Sequence, residues 1–259
     1  MSESVIGAQL YTLRETMQTP EDMAVTLEKV RAIGYENVQV SGIGEIETTA
    51  LKKLLDDNGL SCCATHTGLD RLQNEFDAVV EEHAILGCKQ IAVPSLPGAW
   101  RDSEEGFREG AKAMSEVGLK LAERGITLSY HNHSFELVRY GDRTGLDIIY
   151  DESDPQGLKG EIDTYWIQHG GASPAAWCRK LAGRLPLVHL KDMAIVVVDG
   201  ERKQVFAEIG EGNLDWPAIF EACGAAGARW YLVEQDRCLR PPIESLEISF
   251  RNLRAMGLT

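Results

Sequence analysis

The chain is poor in positive charge. Lys and Arg number 26 against 40 Asp and Glu, a net charge of −14 over 259 residues, which disfavours a sequence-independent grip on nucleic acid phosphates or anionic lipid. It lacks an uninterrupted apolar run of the roughly 18 residues that would suggest a membrane-spanning helix. Its Met-Ser-Glu-Ser start has neither the basic nor the apolar region of a signal peptide. The expectation is a cytoplasmic protein with no membrane and no nucleic acid partner. The six cysteines, at 62, 63, 88, 178, 223 and 238, form no Cys-x-x-Cys pair and no zinc-ribbon spacing, and their apolar contexts predict buried free thiols. No Gly-x-Gly-x-x-Gly follows the first strand-like segment, which removes the main signature of a doubly wound dinucleotide-binding sheet. Nor does a Pro/Gly/Ser-rich linker or a low-complexity tract divide the chain.

What is present is a repeated junction. A helix-like stretch ends in Gly, and within a few residues a short apolar run begins, as helix C-caps followed by buried parallel strands would read. The runs are Asn37–Val40, Leu60–Ala64, Gln90–Val93, Ile126–Tyr130, Leu185–Val188 and Trp230–Val233; Val5–Gln9 and Leu158–Ile162 bring the total to eight. Amphipathic helical patterns lie between them: Pro20–Ala32, Thr48–Asp57, Phe76–Leu86, Glu105–Glu123, Pro174–Leu181, Trp216–Ala225 and Ile243–Met256. Eight strands alternating with helices predict an α/β fold, a single (β/α)8 TIM barrel spanning 1–259. The long segment Met193–Gly212 carries an Asp199-Gly200 turn between two apolar stretches and predicts a hairpin after strand seven.

Active sites of such barrels lie at the carboxyl ends of the strands. Here those ends carry Gln9 and Tyr11, His66, His131-Asn132-His133, Asp163, His189-Leu190-Lys191-Asp192 and Glu234-Gln235-Asp236, and so four of the six histidines. His131 and His133, two apart on a strand, should leave on one face. Imidazoles mixed with the carboxylates of Asp163 and Glu234 suit Mn, Fe, Co or Zn better than Mg or Ca. The expected ligands are His131, Asp163, His189 and Glu234.

The motifs Tyr130-His-Asn-His133 with Phe135-Glu136, Ile162-Asp-Thr-Tyr-Trp166, Val188-His-Leu-Lys-Asp192, Gly210-Glu-Gly212 with Asp215-Trp216, and Val233-Glu-Gln-Asp236 resemble the sugar phosphate isomerase/epimerase superfamily. This is the xylose isomerase-like barrel group that also holds endonuclease IV, hydroxypyruvate isomerases, ketose 3-epimerases and inosose dehydratases. The resemblance runs from Gln9-Leu-Tyr-Thr-Leu13 to Asp236. It implies one divalent metal, commonly Mn2+, with Asp163, His189 and Glu234 on the ligand positions of strands six, seven and eight. Many members have Glu where this chain has His131, so the paired-glutamate chemistry of the ketose 3-epimerases does not transfer. The Tyr-His-Asn-His motif looks more like the inosose dehydratase and keto-glycoside branches. The function this implies is proton abstraction next to a carbonyl of a sugar, keto-sugar or cyclitol, leading to isomerisation, epimerisation or dehydration. A homodimer is also implied, with Ile243–Leu258 and the loop after strand seven as contact surfaces.

A metal on the carbonyl stabilises the oxyanion that forms, and a base must reach the carbon-bound proton. His133 and Glu136 are the candidates for acid/base work, Lys191 for binding an oxyanion or hydroxyl, and Glu234 counts among the catalytic residues as well as the ligands. Gln9, His66, Trp166 and Glu211 are the candidates for substrate binding. Each has a plainer reading: Glu136 as a surface carboxylate, Lys191 as a partner of Asp192, Glu211 as a loop anchor. Trp216 reads as a packing residue at a helix start, and His83 as structural. Two other functions are alternatives. One is an endonuclease IV-type phosphodiesterase, which expects a basic groove; the other is an inactive sugar-binding barrel subunit, which the unusual His131 keeps open.

Overall fold

The computed structural model describes residues 5–258. Eight parallel strands close into a barrel in chain order: β1 Val5–Gln9, β2 Asn37–Val40, β3 Ser61–His66, β4 Gln90–Val93, β5 Thr127–His131, β6 Lys159–Asp163, β7 Leu187–Leu190 and β8 Trp230–Val233. The closing ladder pairs Val5 with Trp230 and Ala8 with Val233. A small apolar cluster of Cys63, Ala64, Ala92, Leu187 and Leu232 joins β3 and β4 to β7 and β8, and so fills the barrel interior. The larger apolar core lies between the strands and the surrounding helices.

Local chemistry explains the helix limits. Thr19, Ser103 and Ser173 each accept a hydrogen bond from the first turn of their helices, Pro20–Ile33, Glu104–Glu123 and Pro174–Lys180. The helix Trp216–Ala226 stops at Gly227, whose φ of 86° suits glycine. Three further helices, Leu69–Asn74, Gly145–Glu152 and Thr164–His169, were not expected from the sequence. Strands β3, β5, β6 and β7 end one or two residues later than their apolar runs, so His66, His131 and Asp163 are the last residues of their strands.

After β7 the chain forms the expected hairpin, Asp192–Val198 against Glu201–Ala207, in register from Asp192↔Ala207 to Val198↔Glu201. Its two-residue turn, Asp199-Gly200, has positive φ at both positions, 54° and 78°. At the base Phe206 stacks on Tyr165 with ring centroids 4.0 Å apart; beyond it Ile195 and Val197 are exposed. The C-terminal segment expected as a contact surface packs one face on the barrel and leaves Glu247, Arg251, Arg254 and Met256 exposed on the other. The helix Pro242–Ala255 buries Leu246, Ser249 and Leu253, and its Phe250 ring lies 4.7 Å from that of Tyr35, whose hydroxyl donates to the Leu246 carbonyl. All six cysteines are free thiols, five of them buried. Among the described residues no helix is long and apolar enough to cross a membrane.

Candidate functional site

The carboxyl ends of β5 to β8 converge on one buried group. One nitrogen or carboxylate oxygen from each of His131, Asp163, His189 and Glu234 lies within 4.8 Å of the others, and all four residues are buried. Strand register places them: His189 pairs with Asp163 across β6 and β7, and Glu234 follows β8 directly, its N–H donating to the Leu190 carbonyl. Each side chain is held from behind. Asp163 Oδ1 caps the helix Thr164–His169 by accepting from the Trp166 N–H, which leaves Oδ2 for the cluster, 3.2 Å from His131 Nε2. His131 Nδ1 donates to the Pro94 carbonyl at 3.1 Å, which leaves Nε2 as the nitrogen that faces Asp163.

Lys191 enters the same space. It is fully buried, with Nζ 3.0 Å from Asp163 Oδ2, 2.8 Å from Glu234 Oε2 and 2.7 Å from Asp236 Oδ2. Burial opposes its charge, but the three carboxylates outweigh burial and hold its pKa well above the usual lysine value. Lys191 therefore does not pair with Asp192. That carboxylate turns away and accepts from the N–H groups of Met193, Gly210, Gly212 and Leu214 and from Trp216 Nε1. Trp216 accordingly packs and anchors, as its plainer reading had it.

Two inward residues escaped the sequence reading. Glu161 stands two residues before Asp163 on β6, therefore on the same face. It is fully buried, accepting from His66 Nε2 and Gln39 Nε2, each at 2.7 Å. Burial works against its charge, yet His189 and His66 hold its carboxyl well below the usual range. Gln39 on β2, also fully buried, reaches His189 Nε2 at 2.7 Å. The signal for both was period two: each sits at an inward position of a strand whose polar content had no other explanation. His66, Glu161 and His189 form a second trio of close donor atoms that shares His189 with the first.

The remaining expected residues divide. His66 joins the cluster, its ring centroid 5.2 Å from that of His131 and 5.3 Å from that of His189. Gln9 is fully buried behind it, Nε2 toward His66 Nδ1 at 3.4 Å and Oε1 accepting from the Tyr11 N–H. His133 lies past the end of β5, not on it, but its ring still meets His131 edge-on at 5.0 Å and Trp166 at 5.4 Å. Burial, then His131 and Lys191, lower the His133 pKa to about 3. The His133 Nδ1 and Trp166 Nε1 atoms are buried with no hydrogen-bond partner among the described residues. Glu136 is neither on the surface nor open to the cluster. It is fully buried, its oxygens accepting from the Tyr130 hydroxyl at 2.7 Å and from the His133 N–H at 3.0 Å. Glu211 is exposed and accepts from Asn252 on the C-terminal helix, away from the other candidates. His83 is buried between Thr65 and the Val79 carbonyl, a structural histidine.

The donor set fits a divalent cation. Three buried or half-buried carboxylates, Asp163, Glu234 and Asp236, face a single lysine, and His131 has its far N–H engaged by a backbone carbonyl.

An inosose dehydratase of Geobacillus thermodenitrificans is 25% identical to this chain over 252 residues, 84% of each. A rhizopine catabolism protein of Rhizobium meliloti is 24% identical over 266 residues, covering 89% of this chain and 80% of that one. A sugar phosphate isomerase/epimerase from Parabacteroides distasonis, 23% identical, shares the fold with a TM-score of 0.81 over 99% of this chain and 96% of its own. The profile of the xylose isomerase-like TIM barrel family matches residues 27–256, and the chain belongs to that family.

Proposed function

We propose that this chain is a divalent-metal-dependent enzyme that removes a proton next to the carbonyl of a sugar, keto-sugar or cyclitol, leading to isomerisation, epimerisation or loss of water. The observation that carries this reading is the convergence of the His131, Asp163, His189 and Glu234 donor atoms within 4.8 Å at the end of the barrel where such folds react. Two imidazoles and two carboxylates would hold Mn2+, with Co2+, Fe2+ or Zn2+ as chemically acceptable substitutes. Bound there, the cation would supply positive charge to a substrate oxygen as the neighbouring carbon loses its proton.

The chain's own residues do the rest. Lys191 holds a fixed positive charge beside Asp163 and Glu234, so a developing oxyanion meets an ammonium that needs no reorganisation. His133, with its pKa lowered to about 3, is neutral throughout the physiological range and always able to accept a proton. It is a weak base, and the carbon acid must therefore be strengthened by the cation and Lys191 for transfer to proceed. Trp166 Nε1 and His133 Nδ1, buried without partners, would take substrate hydroxyls; His66 and Gln9 would border the same space. Glu136 serves by fixing the backbone of His133, and Glu211 has no part in the reaction. The inosose dehydratase relative makes keto-cyclitols the first substrates to try.

Two measurements test the reading. With Mn2+ present, deuterium from D2O should enter the position next to the carbonyl of at least one member of a panel of inososes, 3-keto-glycosides and ketoses, and a chelator should stop it. No exchange from metal-loaded protein across the panel would favour an inactive sugar-binding barrel. Asp163→Ala and Glu234→Ala should each lose bound metal, measured by plasma emission; full retention in both would refute the ligand assignment.

A further inference from the structure

We infer that Gln39, held by Glu161, is a positioning residue that keeps a hydrogen on His189 Nε2 and so leaves Nδ1, which faces the carboxylates of Asp163 and Glu234, as the nitrogen a cation would take. This rests on the proposed metal centre for its consequence, but its geometry stands alone.

Glu161 Oε2 accepts from His66 Nε2 at 2.7 Å, and Oε1 accepts from Gln39 Nε2 at 2.7 Å. An ionised carboxylate only accepts. The Gln39 amide therefore has one orientation, because the reversed one would set its carbonyl oxygen against a carboxylate oxygen. With the amide N–H2 spent on Glu161, the carbonyl Oε1 turns to His189 Nε2, 2.7 Å away, and it can only accept. His189 must then carry a hydrogen on Nε2. The other nitrogen, Nδ1, lies 2.9 Å from Glu234 Oε2 and 3.8 Å from Asp163 Oδ2, inside the proposed ligand set. Without a cation Nδ1–H donates to Glu234 Oε2; a cation taken up there would replace that hydrogen, while Nε2–H stays on Gln39. Gln39, Glu161 and His189 are all fully buried, so water offers no substitute for the clamp; Glu161 Oε2 also lies 3.4 Å from His189 Nε2, a longer contact than that of Gln39. Neither Gln39 nor Glu161 needs to touch the cation.

Gln39→Met keeps the length and apolar volume of the side chain and removes both hydrogen bonds. Its Mn2+ affinity, titrated by electron paramagnetic resonance, should fall about 10- to 100-fold, the usual loss when the partner behind a ligating histidine is removed, while thermal melting confirms a folded protein. Nitrogen-15 histidine spectra of the Zn2+-loaded protein should show His189 bound through Nδ1 with hydrogen on Nε2, and Gln39→Met should show a mixture. Glu161→Gln is the second variant. It leaves Gln39 in place but frees its amide to turn, so it should weaken Mn2+ binding in the same direction; it also serves if Gln39→Met does not fold. Unchanged affinity and an unchanged His189 spectrum in a folded variant would overturn the inference. The metal-free protein reads the clamp separately, since His189 Nε2–H should give a slowly exchanging downfield proton resonance that Gln39→Met shifts or broadens. If that resonance behaves so while neither ion binds, the metal centre is wrong and the clamp stands.

Discussion

Lys191 and Asp192 show how much one step along an extended chain decides. Successive side chains point to opposite sides, so the lysine is delivered into the carboxylate cluster and the aspartate into the loop that returns from the hairpin, where it accepts five hydrogen bonds. Opposite charges adjacent in sequence suggested a pair; alternation forbids it. Asp192→Ala should strand those buried donors and cost about 3 kcal/mol or more, read as a lowered urea midpoint. Glu136→Gln replaces an acceptor of two kinds of donor and should lower stability by about 1–3 kcal/mol while leaving Mn2+ content intact; loss of the metal with normal stability would return Glu136 to the site. The residues proposed as ligands were legible because they end or directly follow apolar runs. The direction in which Glu136 turns was not, since three residues of loop from His133 give no periodicity from which to read a face.

Element boundaries were readable where a single chemical event marks them. The helices Thr48–Asp57 and Phe76–Leu86 and the strands at Asn37–Val40 and Gln90–Val93 begin and end where the pattern put them. Thr164–His169 was hidden because Asp163 ends a strand and caps a helix at once, leaving no loop to announce the change. Gly145–Glu152 opens on a capping box between Thr144 and Asp147, a genuine signal in a segment too short to show helical periodicity. Close packing between elements was also invisible. A Cβ on Gly118, inside the helix Glu104–Glu123, would come within 1.7 Å of the Gly157 carbonyl oxygen. Alanine is normally the better helix former, yet Gly118→Ala should destabilise by about 1–3 kcal/mol because the backbones must part. A melting temperature at or above that of the parent would contradict this close approach.

Across the whole molecule, one buried histidine outside the site gives stability a dependence on pH. Burial lowers the pKa of His83, held between Thr65 and the Val79 carbonyl. A folded value below an unfolded value of about 6.5 means that its contribution to stability is complete above about pH 6.5. It is lost as pH falls toward the folded value, because the unfolded chain takes up the proton first. His83 therefore contributes a loss of stability between pH 7.5 and 5.5 that His83→Gln, less stable at neutral pH, should lack; an identical change of urea midpoint over that interval in both proteins would remove His83 as a cause.

The seam of the barrel also orders events in time. Val5 finds one of its two neighbouring strands only at Trp230, so the first strand made waits for the last. Long-range closure of this kind is slow. Glu234 sits one residue beyond that last strand. A nascent or truncated chain therefore lacks the fourth donor until that strand is made, and a complete set of four would certify that the ring has shut.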